Sequence, residues 1–171
     1  MGGNNKLTIK EICLIAILST ILFIQEQLLT FIPNVQFTFL LLILFSRKFE
    51  FYKTTIIVII HVLLDNIVMG SLSIVFTPFM FLGLFLIPLL MNTLFKKINN
   101  PIFLALISIL FSLLYCWIFI IPNYLFYKIN PLAYLISDVP FEIIFAFWNF
   151  FSILILYAPC KKVLDKFLTN T

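Results

Sequence analysis

His61 and Asp65 are the side chains whose types and spacing first suggest chemistry in this sequence. They stand four residues apart in an apolar segment, so a helix places both on one face. An imidazole and a carboxylate arranged in this way can relay a proton or supply two ligands to a metal ion. His61 is the only histidine of the chain, and no second His or Cys stands at ligand spacing. The pair is therefore interpreted as a buried polar contact, or as an Asp65 that serves the adjoining loop.

A second polar face begins at Glu142. Phe145, Ala146 and Asn149 follow it at three, four and seven residues, so a helix carries all four on one side. An ionisable residue in an apolar segment is costly and usually faces a partner or a water-filled cavity. A second interpretation is equally open for Glu142, because a carboxylate near a helix start complements the helix dipole and reaches the lipid headgroups. Asn149 lies deeper, and a buried amide needs a hydrogen-bonding partner.

The sequence lacks the common motifs of catalysis. No GxSxG, SxxK or HExxH motif is present, and the four glycines are too few for a phosphate-binding loop. The three cysteines are well separated and form no CxxC, which argues against a disulfide framework and against a zinc site. We therefore expect no enzymatic activity and no bound metal or cofactor, and we expect any ATP hydrolysis to occur on other chains.

The composition indicates which elements hold these residues. Of the 171 residues, 63% are hydrophobic and only 11% are charged, and the mean hydropathy is +1.18. A soluble domain carries about 25% charged residues and could not cover so much apolar surface. The sequence therefore excludes a soluble enzyme, a disordered tail and a nucleic-acid-binding domain. It predicts an all-α integral membrane protein, folded as a single bundle of six transmembrane helices.

Six apolar segments are long enough, or nearly so, to cross the bilayer, since a helical span needs about 20 residues. Pro33 is expected at the first helical position of the second segment, and Pro88 is expected to kink the fourth. Asp138 is expected to cap the sixth. The predicted spans cover residues 9–31, 33–49, 52–69, 74–95, 101–121 and 140–159.

The distribution of charge predicts the orientation of these spans. Six spans place both termini on one side, and ten of the eleven Lys and Arg residues then fall on that side, with only Lys128 on the other. Because Lys and Arg concentrate in cytoplasmic loops, both termini are predicted in the cytoplasm and the spans in the cell membrane. The first segment lacks a small-residue cleavage site and is expected to remain as a span. Four acidic residues mark the outer side, namely Glu26, Asp65, Asp138 and Glu142.

Several local sequences accompany this layout. Residues 6–11, KLTIKE, form a charged stub before the first span, and residues 32–37, IPNVQF, form a loop before a short second helix. The third span ends in Asp65-Asn66 and is followed by a Met-Gly-Ser loop at 69–71. With 171 residues and six spans, the chain resembles the S components of energy-coupling factor (ECF) transporters, the membrane subunits that bind the transported nutrient.

The resemblance implies a function, partners and a site. An S component captures a vitamin-like solute near the outer face, and a coupling membrane subunit with two ATPase subunits drives its delivery inward. The small-residue face of the first span, which docks on the coupling subunit, corresponds here to Ala16, Ser19 and Thr20, although the family usually has Ala where Thr20 stands. The outer loops and the sixth span would form the solute pocket. Its candidate residues are Gln27, Asn34, Gln36, Asp65, Asn66, Trp117, Tyr124, Asp138, Glu142 and Asn149.

The charge of the outer side narrows the class of solute. Four acidic residues and one lysine disfavour polyanions, so a cationic or neutral ring compound, held by aromatic rings and amides, fits better. For any single Tyr or Trp, however, residence at the membrane interface is the better explanation. The main alternative function is a non-transporting scaffold that resembles the MreD-type proteins of cell-wall morphogenesis and needs no polar pocket. An intramembrane enzyme ranks below both, since only one histidine is present.

Overall fold

The computed structural model describes residues 7–70 and 72–169, and every regular element in those ranges is an α-helix. The prediction of an all-α bundle is therefore confirmed. Helices α5 and α6 follow each other almost without a break, so the described chain forms about six rods. The helices are α1 (Ile9–Leu29), α2 (Thr38–Lys48), α3 (Phe51–Val68), α4 (Thr77–Asn92), α5 (Pro101–Ile118), α6 (Ile120–Tyr127) and α7 (Pro131–Thr169).

Four helical segments are long and apolar enough to cross a membrane. They are α1, α3, α7 and the segment Pro101–Tyr127 that joins α5 to α6, whereas α4, with 16 residues, is a shorter apolar helix. Their outward faces carry many uncovered Ile, Leu and Phe side chains, a surface that lipid covers and water does not. The chain is therefore a membrane protein, as its composition predicts.

Helix α2 forms the centre of the bundle. Eight of its eleven residues are buried, and it packs against α1, α3, α4 and α7. A helix that is apolar all round in this way belongs to a protein interior. Its length is roughly 17 Å, which is well short of the bilayer core of about 30 Å.

The prediction that the second helix begins at Pro33 is wrong, because α2 begins at Thr38. Asn34 adopts a left-handed conformation with φ of 61°, which ends any helical path from Pro33. The side chain of Gln25 on α1 then serves the start of α2. Its Oε1 accepts a hydrogen bond from the backbone N–H of Phe37 at 2.7 Å, and its Nε2 donates to the Thr38 hydroxyl at 2.8 Å. A side chain from a neighbouring helix thus supplies the hydrogen bonds that a preceding helical turn would have supplied.

The predicted start of the last span is also wrong. Helix α7 runs from Pro131 to Thr169 without interruption and includes Pro140 and Asp138, so Asp138 does not cap it. The helix starts earlier because the side chain of Asn130 accepts a hydrogen bond from the N–H of Leu132 at 2.9 Å, with a proline at the first helical position. At 39 residues, α7 is roughly 58 Å long and extends well past the bilayer core.

The last span also ends later than predicted, because α7 continues past residue 159 to Thr169. The other boundaries differ by smaller amounts. Helices α1 and α3 match the predicted spans 9–31 and 52–69 to within two residues at each end. Helix α4 is three residues shorter than predicted at each end and keeps Pro88 in its interior. Helix α5 ends at Ile118, three residues before the predicted limit of 121, but α6 follows at Ile120 and extends the helical segment to Tyr127, through residues 122–127 that were expected to be loop.

One end of the bundle, which we call the basic end, is held by cationic side chains. Lys53 on α3 pairs with Glu11 on α1 at 2.6 Å, and Lys48 pairs with Asp165 on α7. The guanidinium of Arg47 donates to backbone carbonyls in the turn between α4 and α5. These carbonyls belong to Phe95, Lys96 and Ile98. The opposite end contains Glu26, Asp65, Asp138 and Glu142, and we call it the acidic end.

Candidate functional site

A cavity of about 290 Å³ opens at the acidic end of the bundle. Its wall is formed by the last turns of α1, α3 and α5, the middle of α7, and the segment 30–36 that joins α1 to α2. A recess of about 10 Å³, room for a single water molecule, adjoins it between Thr38, His61 and Tyr115. The lining residues of the cavity are Glu26, Gln27, Leu29, Thr30, Ile32, Pro33, Asn34, Val35, Gln36, Asp65, Met69, Tyr115, Cys116 and Phe145.

The irregular segment 30–36 is what makes room for this cavity. Non-helical backbone at membrane depth is tolerated only where it is buried in protein or lines a water-filled space. Two bonds hold the segment against α7. The side chain of Asn34 donates to the carbonyl of Phe141 at 3.4 Å, and the indole of Trp148 donates to the carbonyl of Gln36 at 3.0 Å. The non-helical segment 30–36 is therefore held in place by α7 and forms part of the cavity wall.

Glu26 and His61 form a polar pair where the cavity meets the adjoining recess. The carboxylate oxygen Oε2 of Glu26 lies 3.1 Å from Nε2 of His61, which links α1 to α3. His61 is 2% exposed, and within the described residues its Nδ1 has no hydrogen-bond partner. The hydroxyl of Thr38 adds a third element, because it donates to the same Glu26 oxygen at 3.3 Å. These contacts join three helices at the floor of the site.

Gln27 and Asp65 form a second link between the same two helices. Nε2 of Gln27 donates to Oδ1 of Asp65 at 3.0 Å, one turn of α3 beyond His61. A carboxylate offers about four lone-pair positions, so Glu26 and Asp65 both keep acceptor capacity toward the cavity. Two adjacent residues of α1 thus fix two residues of α3 and present both carboxylates on one wall.

The electrostatic character of the cavity follows from these residues. Glu26 and Asp65 line it, and none of the described lining residues is Lys or Arg. The rings of Tyr115 and Phe145 also line the cavity, at 6.0 Å between their centroids. Carboxylates together with aromatic faces attract cations, and a low-dielectric surrounding strengthens that attraction. The arrangement can hold a compact cationic or neutral ring.

Four of the predicted site residues, Gln27, Asn34, Gln36 and Asp65, line the cavity. The structure therefore brings together predicted residues that are up to 38 positions apart.

The two predicted asparagines lie outside the cavity and connect helices. Asn66 donates to the carbonyl of Val62 at 2.8 Å and accepts from the hydroxyl of Thr77 at 2.9 Å, which ties α3 to α4. Asn149 donates to the hydroxyl of Ser112 at 2.9 Å, which ties α7 to α5. Each buried amide therefore has one partner in a neighbouring helix, while Oδ1 of Asn149 has none among the described residues.

The other four predicted site residues stand apart from the cavity lining. Trp117 and Tyr124 have exposed side chains on α5 and α6, a position that suits aromatic residues at a membrane interface. The side chain of Trp117 also approaches the carboxyl group of Glu142. Asp138 and Glu142 lie next to Cys116, in a cluster between α5 and α7.

The sequence analysis left five important residues out of the predicted site. Glu26 was recognisable, because it is a carboxylate inside an apolar helix and directly precedes Gln27. His61 was singled out as a possible partner of Asp65, whereas its Nε2 contacts Glu26 and Asp65 binds Gln27. Nothing local in the sequence identifies the other three, since their roles depend on which helices pack together. The residues missed are Glu26, Thr38, His61, Tyr115 and Cys116.

The three residues of the predicted docking face on α1 do not lie on one surface in the structure. Ala16 and Thr20 are exposed, and the Thr20 hydroxyl donates to the carbonyl of Ala16 at 2.8 Å. Ser19 is fully buried and donates to the carbonyl of Ile15. Ser19 therefore packs inside the bundle and shares no free surface with the other two.

Comparisons with known proteins assign no family to this chain, since no protein-family model, no curated protein and no solved structure matches it significantly. The cavity and its lining residues therefore carry the functional interpretation.

Proposed function

We propose that the protein is the solute-capture subunit of an ATP-driven importer of the ECF type. The observation that supports this function is the cavity at the acidic end, where Glu26 and Asp65 share one wall. Two intramembrane carboxylates held in place by Gln27 and His61 are costly to maintain and are typical of solute or ion sites. A structural scaffold has no need of such a cavity.

The size and lining of the cavity suggest the solute. Its volume of about 290 Å³ is close to the lower end of small-molecule sites, which start at about 300 Å³. A single-ring or two-ring compound of vitamin size fits, with a cationic or neutral group near the carboxylates and its ring beside Tyr115 and Phe145. Folates and phosphorylated vitamins are disfavoured, because their negative charge would meet Glu26 and Asp65 without a basic partner.

The orientation belongs to the same proposal. The lysines and Arg47 of the basic end face the cytoplasm under the positive-inside rule, so both termini are cytoplasmic and the acidic end faces outward in the cell membrane. The cavity then opens toward the source of nutrients. No nucleotide-binding motif is present in the sequence, so a membrane coupling subunit and two ATPase subunits supply the energy. The exposed face of α1 at Ala16 and Thr20 is the proposed contact with the coupling subunit.

The direct test is capture of a solute. Purified protein is incubated with a mixture of the common vitamins, washed, and analysed by mass spectrometry for bound compounds. We expect one cationic or neutral ring compound to be retained and to bind saturably. The variant Asp65→Asn, which keeps the shape of the side chain, is expected to lose most of this retention, whereas Asp165→Asn at the basic end is a matched control and retains it. The absence of any saturable solute would favour the MreD-like scaffold instead.

A further inference from the structure

A second cluster of reactive side chains lies between α5 and α7, beside the cavity. Asp138 and Glu142 stand one turn apart on α7, and Cys116 faces them from α5. The sulfur of Cys116 and one oxygen from each carboxyl group lie within 4.8 Å of one another. Three potential metal ligands from two helices therefore converge on one point.

Glu142 is buried, Cys116 and Asp138 are half-buried, and no basic side chain compensates the two carboxyl groups among the described residues, although the side chain of Trp117 approaches Glu142. Glu142 is 6% exposed, and its Oε1 has no hydrogen-bond partner among the described residues. In the same part of the chain, neither Asp138 nor Glu142 forms an ion pair with a Lys or Arg side chain. Burying a carboxylate without a counter-charge is costly, and a bound cation removes that cost. A buried carboxyl group that keeps an unpartnered oxygen and stands beside two further ligand atoms suits a bound cation.

We propose that Cys116, Asp138 and Glu142 bind a divalent transition-metal ion of the zinc class. A thiolate excludes Mg²⁺ and Ca²⁺, which take oxygen ligands, whereas Zn²⁺ and Co²⁺ accept sulfur and carboxylate oxygen together. Bonds of about 2.0–2.3 Å place tetrahedral ligand atoms roughly 3.3–3.8 Å apart, so a small inward movement of these side chains completes the site.

The site has an open position and a structural consequence. Three protein ligands leave the fourth tetrahedral position of the metal for water or a solute atom. Cys116 also lines the cavity, so the proposed metal site adjoins it. A bound metal would also clamp α5 to α7 near the mouth of the cavity. The proposal concerns the metal alone and does not depend on the proposed transport function.

The experiment uses Co²⁺ as a spectroscopic probe, because its bond to a thiolate gives a strong near-ultraviolet absorption band. The full-length protein in detergent is stripped of metal with a chelator and titrated with Co²⁺ in the absence of any solute. We expect one Co²⁺ per chain with a thiolate band, displaced by Zn²⁺ and unaffected by the same concentration of Mg²⁺. Cys116→Ser is expected to abolish the band, whereas Cys160→Ser, which removes another half-buried thiol, keeps it.

Two further variants keep the result decisive if Cys116→Ser does not fold. Asp138→Asn and Glu142→Gln preserve side-chain shape and are each expected to weaken Co²⁺ binding by on the order of 100-fold, since even outer-shell changes cost roughly 10–100-fold. Size-exclusion chromatography establishes that each variant is folded. A titration without a thiolate band, a band that persists in Cys116→Ser, or unchanged affinity in both carboxyl variants overturns the metal site. Solute capture is measured separately, so either proposal can fail without the other.

Discussion

The carboxylate of Glu26 on α1 meets the imidazole of His61 on α3 at 3.1 Å, at the floor of a polar cavity in an otherwise apolar bundle. The next residue of α1, Gln27, binds Asp65 one turn farther along α3. The two contacts fix α1 and α3 relative to each other and place the carboxylates of Glu26 and Asp65 on the same wall of the cavity. Positioning of the helices and charge of the site therefore depend on the same four side chains.

The first prediction separates these two contributions. His61→Ala removes a buried side chain and its hydrogen bond to the Glu26 carboxylate, so it is expected to lower the free energy of unfolding by about 1–3 kcal/mol, although Oε2 of Glu26 still accepts from Thr38. Glu26→Gln removes the charge but keeps a hydrogen-bonding side chain, so it is expected to affect solute binding more than stability. Thermal unfolding of the purified variants, followed by circular dichroism, measures the first effect. Equal stability of His61→Ala and wild type would mean that the pair is not a structural link.

Binding of the captured solute measures the second effect. A hydrogen bond to a charged group contributes about 1.5–3 kcal/mol, so Glu26→Gln should weaken the binding of a cationic solute by roughly 10- to 100-fold. Glu50→Gln, a charge change of the same size at the basic end, serves as the control and should leave affinity unchanged. Unaltered affinity in Glu26→Gln would place the solute elsewhere.

The second prediction concerns Asn149, which ties α7 to α5 through Ser112. Asn149→Ala leaves the Ser112 hydroxyl without this donor in a buried position, so a loss of about 1–3 kcal/mol in the free energy of unfolding is expected. Solute affinity should change little, because neither residue lines the cavity. Denaturant unfolding of the variant, compared with that of Asn123→Ala on the short helix α6, measures the difference. A large loss of solute affinity with unchanged stability would show that Asn149 belongs to the solute site.

The sequence predicted much of the fold because the apolar runs set the number and approximate position of the helices. It failed where one segment's structure depends on another. Helix α2 begins late because Gln25 of α1 satisfies its first backbone groups, and no pattern within residues 33–38 reveals this. The start of α7 was missed for a different reason, since the Asn130-Pro131 pair is a local capping signal that was passed over in favour of Asp138.

The residues of the candidate site could likewise be predicted only in part. Of the polar residues predicted in apolar segments, Gln27 and Asp65 line the cavity. The sequence could not distinguish amides that bind a neighbouring helix, such as Asn66 and Asn149, from those that face an open space. That distinction depends on how each helix is rotated about its own axis, and successive residues of a helix lie about 100° apart around that axis.

The third prediction uses the close approach between α4 and α5. Gly83 is buried against Tyr115, and a Cβ atom at this position would lie 2.6 Å from the Tyr115 ring. Gly83→Ala therefore forces Tyr115 toward the cavity that it lines, and both solute affinity and thermal stability are expected to fall. Gly70→Ala is the contrasting variant, because its Cβ meets open space but its φ of +63° is unfavourable for alanine by about 1–2 kcal/mol. It should lower stability alone, and a fall in affinity as large as that of Gly83→Ala would show that the effect is not transmitted by Tyr115.

The last prediction tests the exposed face of α1. A bulky residue at Ala16 projects from the bundle without entering the core, so Ala16→Trp should leave folding and solute binding intact. If this face contacts a coupling subunit, close helix approach is blocked and uptake of the solute by intact cells should be lost. Ile24→Trp, also exposed on α1 but nearer the acidic end, is the matched control and should support uptake. Normal uptake in Ala16→Trp cells, at equal protein levels, would exclude this face as the docking surface. Loss of binding and uptake together would instead mean that Ala16 packs as part of the fold.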